Sequence, residues 1–121
     1  MVRILVIDDD GVIQTFLSRA LQKEYEVFVA SDGEEGLKQA GQLKPAMIIC
    51  DWMMPIMDGL TLVERIKQDG FLKHTPFLMA TSEGNYDRVL EAIKGGVSDY
   101  VVKPFTATIL EEKLKKIISA L

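Results

Sequence analysis

Short apolar runs and amphipathic stretches alternate along the whole chain. Ile4-Leu5-Val6-Ile7 is a continuous apolar run, the mark of a strand covered on both faces. Val12, Ile13, Phe16, Leu17, Ala20 and Leu21 then recur at helical spacing. Val27-Phe28-Val29 makes a second short strand, and the turn Ser31-Asp32-Gly33 opens a helix running to about Gly41. Ala46 to Cys50 reads as a third buried strand. Asp58 is a suitable N-cap for a helix that buries Leu62, Val63 and Ile66 and ends near Gly70. Phe77 to Ala80 follows Pro76 as a fourth strand, and Val89, Leu90 and Ile93 give a short helix stopped by Gly95-Gly96. Tyr100 to Val102 is the fifth strand. The last helix carries Leu110, Leu114, Ile117, Ile118 and Leu121 on one stripe, with Glu111 and Glu112 expected in its first turn.

Five strand-then-helix units imply right-handed crossovers and a mostly parallel sheet with helices on both faces. The expected fold class is α/β, a doubly wound sheet of five strands in the flavodoxin-like order 2-1-3-4-5 with five helices. At 121 residues the chain has room for one domain, 1–121, with a full hydrophobic core and no repeats or linker. The net charge of −4 disfavours direct nucleic-acid binding, because phosphates repel an acidic surface. Lys113, Lys115 and Lys116 cluster near the C-terminus but read as a solvated helix face. Cys50 is the only cysteine, so no intrachain disulfide can form and a reducing, cytoplasmic setting is expected. The first apolar run is too short for a signal peptide, and no stretch approaches the ~18–20 apolar residues of a membrane span.

In doubly wound sheets ligands bind beyond the carboxyl ends of the strands, where the strand order reverses. The first strand ends in Asp8-Asp9-Asp10, the third in Asp51, the fourth in Thr81-Ser82 and the fifth in Lys103-Pro104. With the first and third strands adjacent at the centre, Asp8, Asp9 and Asp51 should converge on one pocket, with Thr81 and Lys103 on its far side. Three carboxylates so close cannot all stay ionised without a counter-charge. A hard divalent cation solves this, and an all-oxygen site that keeps several waters suits Mg²⁺. A metal, a lysine and a hydroxyl around a free carboxylate suit phosphoryl transfer, with the carboxylate attacking in line.

Across nearly its whole length the chain resembles the CheY-like receiver domains of two-component response regulators. The motifs that carry the resemblance are Ile4-Leu5-Val6-Ile7-Asp8-Asp9, Asp51-Trp52-Met53-Met54-Pro55 with Asp58-Gly59, Thr81-Ser82, and Lys103-Pro104-Phe105. Each is weak alone; all four in order, landing on strand ends, make a strong joint signal.

The resemblance implies a phosphorylation-dependent switch of a two-component phosphorelay. Asp51 would take a phosphoryl group from a phosphohistidine on a sensor histidine kinase or a histidine phosphotransfer protein. Asp8, Asp9 and Asp51 would hold Mg²⁺, Asp9 and Asp51 directly, with the Met53 backbone carbonyl as a further ligand. Lys103 would pair with the phosphoryl group, and its bond to Pro104 is often cis in the family. Thr81 would swing toward the phosphoryl oxygens and Tyr100 would turn inward after it. The surface of the fourth helix, fifth strand and fifth helix would change and engage a downstream effector, as a monomer or a phosphorylation-dependent dimer. Such a protein catalyses only its own phosphorylation and dephosphorylation, so no turnover enzyme is expected. Ser82 is slightly larger than the small residue often found there and can hinder access to Asp51. Met53 and Glu83 occupy variable positions that tune phosphoryl lifetime.

Plainer readings apply to several of these residues. Asp10 is expected to cap the first helix, Cys50 to be an inert buried thiol, and Trp52 to be a partly exposed neighbour of the site. His74 sits in a polar loop and has no partner for phosphate relay. For Tyr100, packing and switching weigh equally. The sharpest rival function is a haloacid-dehalogenase-like phosphatase, because Asp8-Asp9-Asp10-Gly11-Val12 fits D-x-D-G-[TV], with Asp8 as nucleophile and Asp10 as general acid. That reading lacks a late acidic pair and gives Asp51 no role. A flavodoxin-like cofactor carrier needs neutral phosphate-cradling residues where this chain has three aspartates. A structural domain with a vestigial pocket would not need the intact constellation.

Overall fold

The computed structural model describes residues 1–120. Strands β1 (Arg3–Ile7), β2 (Glu26–Ala30), β3 (Met47–Cys50), β4 (Phe77–Thr81) and β5 (Asp99–Val102) alternate with helices α1 (Gly11–Leu21), α2 (Gly33–Leu43), α3 (Gly59–Gln68), α4 (Tyr86–Gly95) and α5 (Ala107–Ser119). All strand pairs are parallel, in the order β2-β1-β3-β4-β5. The expected topology is the observed one. Ile7 at the end of β1 lies beside Ala30 and Cys50, so the chain leaves β1 and β3 at the same height, at the central pair of the sheet.

The continuous apolar runs explain this burial. Successive strand side chains point to opposite faces, so Leu5 and Ile7 join one core with α2, α3 and α4, while Ile4 and Val6 join the other with α1 and α5. All four are fully buried, each contributing roughly 1.5–3 kcal/mol of hydrophobic stabilisation. The helices begin where the sequence supplies oxygen caps: Asp10, Asp32, Asp58, Asn85 and Thr106 each accept a backbone N–H of the first turn. Gly96 ends α4 at φ +114°, a conformation that L side chains rarely adopt.

Several local expectations need correction. Helix α5 starts at Ala107 behind its Thr106 cap, so Glu111 and Glu112 fall beyond the first turn, which holds no acidic residue. Leu121 of the expected stripe lies outside the described residues. His74 closes a short 3-10 turn, Leu72–His74, that the polar sequence gave no sign of. Trp52 is not partly exposed: it is buried to 2% accessibility, in the core under α3 and α4. Its sequence neighbours Asp51 and Met53 are polar or exposed, and Trp52 joins a core cluster built from distant segments. Among the described residues no helix is long and apolar enough to cross a membrane.

The β3–α3 loop contains one strained residue. Ile56 has φ +71°, and the Met57 N–H donates to the Pro55 carbonyl at 2.8 Å, the hydrogen bond of a γ-turn centred on Ile56. A β-branched residue is a poor occupant of this conformation, and Ile56 is 75% exposed, so burial gives nothing back. Ile56→Asn is expected to raise stability by about 1 kcal/mol, measured as a higher urea midpoint at unchanged slope.

Candidate functional site

The carboxyl ends of β1, β3, β4 and β5 bring together the residues that the sequence nominated. Asp8 follows β1, Asp51 follows β3, Thr81 is the last residue of β4 and Lys103 follows β5. Thr81 was expected just past its strand; it is instead paired in it, opposite Val102. Its side chain is buried, and its hydroxyl accepts the Glu83 N–H at 3.5 Å, the outer limit of hydrogen bonding.

The Lys103 ammonium is the centre of the constellation. It donates to Asp8 Oδ2 at 2.8 Å and to Asp51 Oδ2 at 3.2 Å. The Lys103–Pro104 peptide is cis. The other oxygens of both carboxylates are held by backbone: Asp8 Oδ1 accepts the Asp10 N–H at 2.9 Å, and Asp51 Oδ1 accepts the Trp52 N–H at 2.7 Å. Asp51 is thus oriented from two sides, yet its side chain stays 12% exposed and open to a reactant.

Carboxylate oxygens of Asp8, Asp9 and Asp51 lie within 4.8 Å of one another, one buried, one exposed and one between. Burial pushes the Asp8 carboxyl above its ordinary range, and the nearby Asp51 charge adds to this, against the lowering effect of the Lys103 and Asp10 hydrogen bonds. The same burial works to lower the Lys103 ammonium, but its bonds to Asp8 and Asp51 outweigh it and raise the group. Three carboxylates therefore cluster beside a lysine that pairs with two of them, an acidic excess with all-oxygen donors. That donor set fits a hard divalent cation such as Mg²⁺.

Asp10 stands apart from this cluster. Its carboxylate accepts the Val12 N–H at 2.9 Å as the α1 cap, the bland role expected of it. Cys50 is fully buried and its thiol is pushed well up by burial, which leaves it unreactive. The Met53 side chain points to solvent at 56% exposure. Tyr100 is buried on β5, with its hydroxyl donating to the Glu83 carbonyl just before α4. Burial, reinforced by the Glu83 and Asp51 charges, pushes the phenol up to about 12, so it stays a donor at all ordinary pH.

Three contacts had no signal in the sequence. Gln14 donates to the Asp8 carbonyl from α1, Arg88 of α4 lies over the Trp52 ring, and Gly59 makes a close approach to the site. A methyl group on Gly59 would run into the Asp51 carbonyl oxygen and sit 2.9 Å from Trp52 Cα, so only glycine lets α3 start this close to the Asp51–Trp52 backbone. The Asp-Gly pair at 58–59 was legible as a helix start and as part of the motif after Asp51, but not as a close approach.

The sequence matches the family model described as "Response regulator receiver domain" over residues 4–115. The chemotaxis protein CheY of Pseudomonas aeruginosa is 37% identical over 117 residues, covering 95% of this chain and 94% of that protein. The chemotaxis protein CheY-3 of Vibrio cholerae is 36% identical over 122 residues, covering 98% of this chain and 93% of that protein. A high-resolution structure of the chemotaxis response regulator CheY4 of Vibrio cholerae superposes with a TM-score of 0.92 at 34% identity, covering 97% of this chain and 98% of that chain.

Proposed function

This chain belongs to the response-regulator receiver family, and from that premise we propose that Asp51 accepts a phosphoryl group from a phosphohistidine on a sensor histidine kinase or histidine phosphotransfer protein. Residues 1–121 act together as one receiver domain, and the protein works as a switch of a two-component system rather than a turnover enzyme. The observation that carries this reading is the Lys103 ammonium, which reaches Asp8 and Asp51 at once from a strand separate from both.

The chemistry follows from these positions. A bond forms between an Asp51 carboxylate oxygen and phosphorus as the phosphorus–nitrogen bond to the donor imidazole breaks, and the imidazole takes up a proton. Asp8, Asp9 and Asp51, with the Met53 backbone carbonyl, are the residues that would hold Mg²⁺, which when bound supplies positive charge to the transferring oxygens. Lys103 exchanges its carboxylate partner for a phosphoryl oxygen, and the loosely held Thr81 hydroxyl donates to another. Each such charge-assisted bond contributes roughly 1.5–3 kcal/mol. A shift from 1:99 to 99:1 between two arrangements needs ~5.5 kcal/mol, which these two bonds reach only at the upper end of their range, so a bound partner completes the shift.

The readout is the face of α4, β5 and α5. Ile93, Val102 and Ile109 there stay 52%, 42% and 44% exposed, apolar side chains suited to a protein effector or a second, phosphorylated copy. Thr81 pairs with Val102 of β5 and Tyr100 ties β5 to the residues just before α4, so both are assigned as switch residues. A cytoplasmic setting goes with this role; chemotaxis control and a phosphorelay step are both consistent outputs. A phosphatase built on Asp8 and Asp10 gains no support, because the Asp10 carboxylate is spent on the α1 cap.

The test is incubation with Mg²⁺ and acetyl phosphate or phosphoramidate, followed by intact-mass measurement and peptide mapping. The expected result is one added phosphoryl group on Asp51, lost when the metal is removed by chelation. Modification elsewhere, or none, would overturn the reading.

A further inference from the structure

We infer that Arg88 couples helix α4 to the state of Asp51 by lying over the ring of Trp52. The inference rests on Asp51 being the phosphoacceptor. The Arg88 guanidinium carbon sits 5.2 Å from the centre of the Trp52 ring, within reach of a cation–π interaction. Trp52 is the residue after Asp51, and both its backbone groups are committed to the site. Its N–H donates to Asp51 Oδ1 at 2.7 Å, and its carbonyl accepts the Gly59 N–H at 2.7 Å.

A phosphoryl group on Asp51 redistributes the charge on the carboxylate that the Trp52 N–H holds. Any change in that hydrogen bond moves the Trp52 backbone and with it a ring that is 2% exposed and packed in the core. The cation on that ring belongs to the first turn of α4, whose N-terminus is anchored by the Asn85 cap and approached by Tyr100 through the Glu83 carbonyl. Arg88 also faces Glu91 one turn on, at 3.8 Å, a second partner that can take the guanidinium when the ring moves. Arg88 is a positioning residue: it touches no reacting atom, and it favours the α4 arrangement found with a free Asp51 carboxylate.

Weakening that arrangement raises the population of its alternative, and with it the fraction of molecules ready to be phosphorylated. A half-exposed cation–π contact corresponds to about a two- to fivefold change in such an equilibrium. The experiment compares the wild-type protein with Arg88→Ala and Arg88→Lys, using Mg²⁺ and phosphoramidate. The readouts are acrylamide quenching of Trp52, the sole tryptophan, and the rate of mass gain. Arg88→Ala is expected to increase quenching and to speed phosphoryl uptake about two- to fivefold, while Arg88→Lys, which keeps the cation, stays close to wild type in both. An alanine variant with wild-type quenching and rate, or a lysine variant that behaves like alanine, refutes the coupling alone. If the wild-type protein gains no phosphoryl group on Asp51, the assignment of Asp51 fails and the coupling fails with it.

Discussion

Asp51→Asn takes up no phosphoryl group from Mg²⁺ and phosphoramidate, while its fold and stability persist. Asparagine keeps the carbonyl oxygen that accepts the Trp52 N–H at 2.7 Å, so the loop after β3 has no reason to move. What disappears is the anionic nucleophile, and a neutral amide cannot form the acyl phosphate. Loss of a nucleophile is on the order of a thousandfold or more in rate, so the mass gain should vanish within the time the wild-type protein needs for completion. Asp8→Ala is the informative partner. A receiver so altered still carries its phosphoacceptor and becomes slow through poor metal binding, recoverable in part at high Mg²⁺. A phosphatase using Asp8 would lose all covalent phosphoryl uptake with that change and none with Asp51→Asn. The two variants measured side by side decide between the chemistries.

The second large effect is expected on stability as much as on activity. Lys103→Met removes the only cation paired with Asp8 and Asp51 among the described residues, and those side chains are just 3% and 12% exposed. Breaking a buried pair by deleting one partner costs about 3 kcal/mol at the lower end of the usual range, and Asp8 limits the damage by taking up a proton. The pH dependence has a definite sign. A carboxyl whose folded-state pKa is raised makes the folded protein bind more protons than the unfolded chain, so stability falls as pH rises through the ordinary carboxylate value and above it. Without the lysine this trend steepens, so the deficit is small in acid and largest near neutrality. Mg²⁺ should narrow the gap to wild type by supplying the missing charge, and chelation should restore it. Urea unfolding at two pH values, with and without Mg²⁺, reads all of this; equal deficits under the four conditions would contradict the account. Phosphoryl uptake should slow about 10- to 100-fold from loss of the charge-assisted bond.

Much of this protein was legible before any coordinates. The continuous apolar runs placed the five strands to within a residue or two, and Asp10, Asp32 and Asp58 marked helix starts because capping is a local interaction within one turn. Parallel order followed from strand–helix alternation, and the candidate side chains followed from reading what comes next after each strand. Charge counting alone marked Asp8, Asp9 and Asp51 as an acidic cluster. These inferences need only nearest neighbours in sequence and general rules of chain connection.

Other features became visible only when distant segments met. Lys103 and Asp8 are 95 positions apart, and nothing local shows that the ammonium sits closer to Asp8 than to Asp51. Trp52 looked partly exposed because its burial depends on a core cluster assembled from distant segments. Glu111 and Glu112 slid past the first turn because Thr106 captured the cap. Ile56 is held in a γ-turn that its own side chain disfavours, and Arg88 meets Trp52 across two elements. Periodicity and capping act over a few residues, so the sequence determines which elements form; the distances that decide chemistry depend on how those elements pack, a sum over contacts that no single stretch of chain contains.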